Sequence, residues 1–387
     1  MVVCACACAL ACGPTLPSEP SRSATPESDG PAADAGDTNS PDDPGPLDAA
    51  GETGIVDADM PEVPDVRGVD ATDDLPDQGE GCGAAPGQIF LPGAPWNQPV
   101  VDAPLAADSD TIIGYLSRFH DTETRFQIDF SLVVLAAVPE DEPRPFEPTE
   151  DHWDIECDTA PVPVPERGLI EGEEGLSCIG DGDCHLLVRA PGCRLYEMYR
   201  ADIRGDVFRG GCLAVWDTQR IYPATGRGQD CTSADAAGLP ITPLVFRTDE
   251  IGTGELRHAI RFVLPNENIR KEVYVLPATH STSATEGPIE APPYGARLRL
   301  KNSVDLSQLN PAAQVVAMAL QRYGMILADG GNLTFTAASD RNAANTWANL
   351  GLGPHDLKQL NWSDFEVVDG GVPVQYRGNC SRVPITE

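Results

Sequence analysis

The sequence predicts a mainly β fold, namely an antiparallel β-sandwich or jelly roll with one or two short packed helices. Short segments that alternate apolar and polar residues recur along residues 124–301, and turn residues rather than helices separate most of them. In the first of these segments, Phe126, Ile128, Phe130 and Leu132 share one face. Further strands are predicted at 185–190, 194–202, 211–218, 256–264, 272–278 and 296–301.

One helix interrupts the strand pattern after residue 310. Asn310 is a suitable N-cap and Pro311 suits the first helical turn. The apolar stripe that would pack on the sheet has i, i+4 spacing and consists of Val315, Ala319 and Tyr323. A strand over MILADGG follows, and a second short helix near 355–360 and a last strand over DFEVVD complete the predicted domain.

Composition divides the chain into three parts. Residues 1–12 are small and apolar and end at Cys12, which is similar to a bacterial lipoprotein signal whose last cysteine is acylated; an ordinary signal peptide is the alternative. Residues 13–81 form an acidic segment rich in Pro, Asp and Gly, with 18 acids, two bases and no aromatic residue. Such a segment buries too little apolar surface to fold, so we expect a disordered tether. Residues 82–387 can form one large disulfide-braced domain.

The formal net charge of −34 limits the classes of partner. It argues against binding to nucleic acid or to an anionic membrane surface, although solubility alone also explains an acidic surface. No run of 18 apolar residues is present, so we expect contact with a membrane only through a lipid on Cys12. We expect a monomer that is exported to the cell surface, the outer membrane or the medium, with no cofactor and no metal.

Eight cysteines follow the acidic segment, at positions 82, 157, 178, 184, 193, 212, 231 and 380. An even number behind an export signal favours disulfides over metal binding, and no CxxC pair indicates zinc. The sequence leaves the pairing open. Cys178 and Cys184 flank a short loop, and Cys82 and Cys380 lie near the two ends of the domain, where they could connect the termini.

Several long motifs resemble those of a family of secreted bacterial proteins. They include TSADAAGLPI at Thr232–Ile241, DEIGTGELRHAIRF at Asp249–Phe262, YVLPATH at Tyr274–His280 and RYGMILAD at Arg322–Asp329. The resemblance covers almost half of the chain, from about residue 185 to residue 369, and implies an exported protein without an assigned activity. Thr279 stands where the family pattern has Arg before the histidine, so a site that uses this Arg would be altered here.

Carboxylates are the first candidates for acid–base chemistry, because the sequence has no GxSxG, GxxxxGK[ST] or HExxH motif. The candidates are Asp217, Asp235, Asp249, Glu250 and Asp329. Glycoside hydrolysis needs two carboxyl groups on either side of one bond. Turn formation is the competing explanation for Asp235 and Asp329, and Asp249 and Glu250 could form a solvated turn pair.

Two histidines and a tyrosine offer an alternative route, β-elimination. His258 alternates with apolar residues, which is typical of a core histidine, although a base on the floor of a cleft fits the same pattern. His280 follows a strand and precedes a polar loop, a better location for a site. Elimination would use His258 or His280 together with Tyr323 to move protons, and Arg261 or Lys301 to hold a uronate.

Cations form a pattern on two predicted strands. Arg257 and Arg261 share one face of the first strand, and Arg297, Arg299 and Lys301 share one face of the second. If both strands lie in one sheet, these five side chains would line a basic surface that suits an anionic or hydroxyl-rich polymer. Solvation or pairing with acids is the alternative.

These observations give three hypotheses for function. The first is a lipoprotein that binds and cleaves a polysaccharide or another extracellular polymer, as a hydrolase or as a lyase. The second is a carbohydrate-binding or adhesion protein without activity, and the third is a structural protein of the cell envelope. An enzyme is expected to bring Asp235, Glu250, His280 and Asp329 into one pocket.

Overall fold

The computed structural model describes residues 82–118, 126–150, 152–180, 182–332 and 334–387. All of them belong to one unit, Val69–Glu387. The predicted signal segment with Cys12 and the acidic tether lie outside the described residues. No helix in the described ranges has both the length and the apolar character needed to cross a membrane.

The mainly β class is confirmed by 17 strands and four short α-helices in the described part of the chain. The first ten strands are β1 (Gln127–Leu132), β2 (Val134–Ala136), β3 (Pro143–Arg144), β4 (Glu147–Pro148), β5 (Val162–Pro163), β6 (Leu186–Ala190), β7 (Arg194–Tyr199), β8 (Asp202–Arg204), β9 (Val207–Gly210) and β10 (Cys212–Asp217). The others are β11 (Ile260–Leu264), β12 (Val273–Tyr274), β13 (Arg297–Leu300), β14 (Met325–Gly330), β15 (Thr334–Ala338), β16 (Phe365–Val368) and β17 (Val374–Gln375). The helices are α1 (Ser109–Leu116), α2 (Thr248–Thr253), α3 (Pro311–Arg322) and α4 (Trp347–Leu350).

Two sheets dominate the fold, and both mix strand directions. The larger has the order β1-β15-β11-β14-β13-β16, with parallel pairs β1–β15 and β11–β14, and the smaller has the order β10-β7-β6-β2. Parallel neighbours need a long connection between them, and β11 and β14 are joined through residues 265–324. The closely spaced strands of the sequence therefore pair with distant strands as well as with their neighbours in the chain.

The helix expected after residue 310 is α3, which begins at Pro311. The side chain of Asn310 accepts a hydrogen bond from the backbone N–H of Ala313 at 2.8 Å, which caps the helix as predicted. The helix expected near 355–360 is a series of turns, and the short helix in this region is α4. Thr346 caps α4, because its side chain accepts a hydrogen bond from the backbone N–H of Asn349.

The main hydrophobic core holds the larger sheet rigid. Rings from two strands and from the residue before β1 meet in this core: Phe126 lies 5.7 Å from Phe335 and 5.2 Å from Phe365, measured between ring centroids. A second core lies against the smaller sheet and includes Leu135, Val188 and Leu213. Buried aromatic packing of this kind fixes the strands that carry polar residues into the site described below.

Four disulfides connect the described cysteines: Cys82–Cys193, Cys157–Cys212, Cys178–Cys184 and Cys231–Cys380. The pairing of Cys178 with Cys184 agrees with their flanking positions. The proposed Cys82–Cys380 connection is wrong, because each cysteine pairs with a partner in the middle of the chain. Four disulfides indicate an oxidising, extracellular environment.

The C-terminal segment is held by one buried carboxylate. Asp158 accepts hydrogen bonds from the guanidinium groups of Arg227 and Arg382 and from the backbone N–H groups of Val215 and Ile385. Its side chain has no solvent exposure, so both arginines are needed to compensate the burial of its charge.

Candidate functional site

A cleft of about 510 Å³ collects three of the predicted site residues, Asp235, His280 and Asp329. Its walls come from the TSADAAG turn, from the polar loop after His280, and from the end of β14. Trp153, Tyr199 and Tyr376 add aromatic surface. The volume falls within the roughly 300–1,000 Å³ that is usual for ligand clefts.

An arginine joins two carboxylates at the floor of this cleft. Arg261 on β11 donates from Nη2 to Oδ1 of Asp235 at 2.8 Å and to Oδ2 of Asp329 at 2.9 Å. Because β11 and β14 are adjacent parallel strands, Arg261 and Asp329 lie close in space although 68 residues separate them. Asp235 is completely buried in a turn that Ser233 stabilises, since Ser233 Oγ donates to Leu239 O at 2.6 Å and accepts from Asp235 N–H at 3.0 Å.

Asp329 ionises less readily than an ordinary aspartate. Burial, followed by the neighbouring charge of Asp235, raises the pKa of Asp329 to about 7, although Arg261 opposes the change. A hydrogen bond between the two carboxyl groups contributes to this shift. Oδ2 of Asp235 has no N–H donor in the described part of the chain, so a proton on Asp329 is its natural partner. Near neutral pH the pair therefore holds one shared proton for part of the time.

His280 and Tyr376 form a neutral hydrogen-bonded pair in the same cleft. The imidazole donates from Nδ1 to the carbonyl of Ala236 at 2.6 Å, so Nε2 is free to accept from the Tyr376 hydroxyl at 2.9 Å. Burial lowers the pKa of His280 to about 4 and raises the pKa of Tyr376 to about 12, with Glu156 adding to the latter. Both groups are uncharged at neutral pH and serve first as hydrogen-bonding groups.

An ion pair between His185 and Glu171 lies next to the turn that carries Asp235. His185 Nδ1 lies 2.7 Å from Oε2 of Glu171, and its Nε2 donates to the carbonyl of Ala234 at 3.0 Å. Burial opposes the charge on His185, but Glu171 outweighs it and raises the pKa of the imidazole to about 9. The same pair lowers the pKa of Glu171 to about 2 despite burial. A charged His185 thus holds the turn that carries Asp235.

Glu250 and His258 lie apart from the cleft. Glu250 is buried at the start of α2, where its Oε2 accepts from the backbone N–H of Arg247 at 3.0 Å and so caps the helix. His258 is a core residue whose Nδ1 donates to Ala259 O at 2.7 Å and whose Nε2 lies 3.2 Å from Oε1 of Glu250. Of the four residues that an enzyme was expected to bring into one pocket, three line the cleft. The fourth, Glu250, stabilises a helix instead.

The expected basic surface does not form, because its members have other partners. Arg297 donates to the carbonyls of Pro95, Gln98 and Tyr323, and it is buried. Arg299 is buried against Glu366 and backbone carbonyls. The alternation of β13 gave the correct face, but the chain at residues 95–103 covers that face.

The remaining predicted residues also lie outside the cleft. Lys301 donates to Ser363 O at 2.7 Å, and Arg257 forms an exposed pair with Glu255 at 2.6 Å. Tyr323 is buried at the C-cap of α3 and is not among the residues that line the cleft. Arg261 is therefore the one predicted cation that contacts the carboxylates of the cleft.

Three residues of the site carried no signal in the sequence. Trp153 lies in the irregular Pro- and Glu-rich segment, and Tyr376 follows the last predicted strand. Glu156 accepts from Thr232 N–H at 2.8 Å and lies 3.7 Å from Nε2 of His280. Only the tertiary fold brings these residues to His280.

One cluster in the described residues has the spacing of metal ligands. It consists of Glu173, Cys178 and Cys184. The two cysteines form a disulfide, so they cannot supply thiolates to a metal ion. This cluster is therefore explained by the disulfide.

Comparisons with protein-family models, with curated proteins and with solved structures found no match.

Proposed function

We propose that the protein binds a carbohydrate chain in the cleft. The observation that carries the proposal is the convergence of one exposed and two half-buried aromatic side chains with polar groups in one cavity. Trp153 is 43% exposed and its ring lies 6.3 Å from that of Tyr199, while Tyr376 lies beside His280. Aromatic side chains that combine an apolar face with a polar edge suit the faces and hydroxyls of sugar rings.

Hydrogen-bonding groups around these rings support the same ligand class. Asp183, Thr232 and Asn266 line the cleft together with Asp329 and His280. Carboxylate, hydroxyl and amide groups accept and donate hydrogen bonds in the pattern that a polyhydroxylated ligand requires. An apolar ligand would leave these groups without partners, which costs binding free energy.

Cleavage is a second candidate, favoured by the pKa of Asp329. A carboxyl group with a pKa of about 7 can donate a proton to a leaving oxygen at neutral pH. Asp235 cannot be the second carboxylate of a two-carboxylate mechanism, because it is hydrogen-bonded to Asp329 and both accept from the same nitrogen of Arg261. In this candidate function Asp329 donates its proton to the leaving oxygen as the glycosidic bond breaks, and Asp235 positions that proton. A water molecule then forms the new bond to the sugar carbon and returns a proton to Asp329.

Hydrolysis is favoured over β-elimination on the basis of charge. Elimination from a uronate needs a base and a cation for the sugar carboxylate. His280 is a weak base with a pKa of about 4, and among the described residues that line the cleft none is Arg or Lys. Of the two cations that the sequence offered for this role, Lys301 donates to a carbonyl group elsewhere and Arg261 is already bound to Asp235 and Asp329.

The test uses the full chain and a panel of neutral and charged polysaccharides. We expect binding by affinity electrophoresis, a roughly tenfold loss in Trp153→Ala, and no change in Ile179→Ala, an exposed apolar residue outside the cleft. New reducing ends that disappear in Asp329→Asn would establish hydrolysis. Absence of binding to every polysaccharide would contradict the proposal.

We also propose that the protein is attached to the cell surface. Acylation of Cys12 would hold the domain at the outer membrane through the acidic segment. Cys12→Ala should then release the protein from the membrane fraction into the soluble fraction. Unchanged retention of the variant would contradict the lipid anchor.

A further inference from the structure

The charges of the cleft are strongly one-sided. Three aspartates line it, Asp183, Asp235 and Asp329, and no Arg or Lys is present among its described lining residues. His280 is uncharged at neutral pH. The nearest cation, Arg261, is 5% exposed and is already bound to both Asp235 and Asp329. A ligand in this cleft therefore meets acidic groups without an accessible positive charge.

The net charge of the groups around the cleft remains negative when Asp329 is counted as protonated. Arg261 compensates one of the two carboxylates that it contacts, and the shared proton on Asp329 compensates the other. Asp183 at the wall is then still to be balanced, whereas Glu156, 3.7 Å from Nε2 of His280, has the charges of Arg227 and Arg382 near it. An anionic sugar in this position would face repulsion and loss of hydration, whereas a cationic group would be attracted.

Two further observations indicate a donor-rich, positively charged ligand. Asp183 is exposed at the wall of the cleft and the Asp329 side chain is 15% exposed, so a ligand can reach both carboxyl groups. The ring faces of Trp153 and Tyr199 lie in the same cleft, and such faces attract ammonium groups. Carboxylates and aromatic faces together are the features that recognise a protonated amine.

We infer that the cleft selects a saccharide with free amino groups, such as a glucosamine oligomer, over neutral and uronate saccharides. This inference deepens the proposed carbohydrate binding and depends on it. The ammonium group would lie among Asp183, Asp329 and the ring of Trp153, while the sugar ring stacks on the aromatic wall. An N-acetyl group would remove the charge and two of the three N–H donors.

The experiment compares three tetrasaccharides of equal length by calorimetry with the full chain: glucosamine, N-acetylglucosamine and galacturonate oligomers. We expect the glucosamine oligomer to bind about tenfold more tightly than the acetylated oligomer, and the galacturonate oligomer to bind most weakly. The preference for the free amine should fall as ionic strength rises.

A variant pair assigns the preference to the cleft. Asp183→Asn should reduce the advantage of the free amine severalfold and leave the affinity for the acetylated oligomer unchanged. Asp110→Asn makes the same change of charge at the exposed N-terminal turn of α1 and should leave both affinities unchanged. Equal affinity for the glucosamine and acetylated oligomers, or tighter binding of galacturonate, would overturn the inference while carbohydrate binding stands. No binding of any saccharide would overturn both.

Discussion

The guanidinium of Arg261 donates to Oδ1 of Asp235 from both Nε, at 3.2 Å, and Nη2, at 2.8 Å. It also binds Asp329, so one buried cation serves two carboxylates. Burial opposes the charge on Arg261, but the two aspartates outweigh it and raise its pKa. The floor of the cleft therefore depends on a single side chain.

Arg261→Met should destabilise the protein strongly, because it leaves two buried carboxyl groups without a cation. We expect the free energy of unfolding in urea to fall by roughly 3–5 kcal/mol at pH 8 and by less at pH 5, where the carboxyl pair takes up a proton. Arg257→Met removes an exposed arginine from the same part of the chain and is the control. Similar losses in the two variants would contradict the role of Arg261.

Glu171→Gln should reduce stability most between pH 4.5 and 6.5. The pKa of His185 rises from 6.5 to about 9, so its contribution is complete below pH 6.5 and is lost as pH rises through 9. The pKa of Glu171 falls from 4.5 to about 2, so its contribution is complete above pH 4.5 and is lost as pH falls through 2. We expect a loss of roughly 1.5–3 kcal/mol inside this window by urea unfolding.

The decisive comparison for this pair is between pH 6 and pH 10. At pH 10 the imidazole is neutral in the wild-type protein, so the difference between wild type and Glu171→Gln should shrink. A difference that does not change with pH would show that the contact contributes without its charges.

Asp329→Asn should become relatively more stable as pH rises. The pKa of Asp329 is about 7 in the folded protein against 3.8 ordinarily, so the folded state holds a proton that the unfolded state releases between these values. Wild-type stability therefore falls as pH rises from 3.8 to 7, and the variant escapes this loss. Urea unfolding at pH 5, 6, 7 and 8 should show a difference that grows and then levels off above pH 7. A constant difference would contradict the raised pKa.

Removal of the Cys231–Cys380 disulfide should cost more stability than removal of Cys178–Cys184. The first closes a loop of 149 residues and the second a loop of six, and chain entropy predicts about 5 and about 2 kcal/mol respectively. Paired Cys→Ser variants under oxidising conditions allow the comparison by urea unfolding. Equal losses would indicate that native-state contacts, not loop closure, determine the effect.

Local patterns in the sequence predicted which segments form strands and helices better than they predicted which elements lie next to each other in the fold. Alternation identified β1, β6, β7, β10 and β13, and the Asn310 cap identified α3. Asp235, His280 and Asp329 were expected in one pocket and lie in one cleft, across 94 residues of chain. All three follow turns or strand ends, where polar residues commonly collect into sites, which is why they could be predicted.

The predictions that were wrong concern residues whose surroundings are set by tertiary contacts. Glu250 has the sequence appearance of an acid–base residue, but at the third position of a helix the same side chain caps the backbone. The faces of Arg297 and Arg299 were predictable, whereas the segment that covers them was not. Trp153 and Tyr376 reach the cleft through contacts that no local period encodes.

Asp158 can form all of its contacts only after the C-terminal residues have been synthesised. A chain that leaves the ribosome, or passes through a secretion pore from its amino end, delivers Asp158 224 residues before Arg382. Until then the carboxylate lacks one of its two cations and the backbone N–H of Ile385. We therefore expect the domain to close around this acid only when its last residues arrive. A stop codon between residues 228 and 382 would release a chain in which Asp158 keeps Arg227 but lacks Arg382 and the N–H of Ile385.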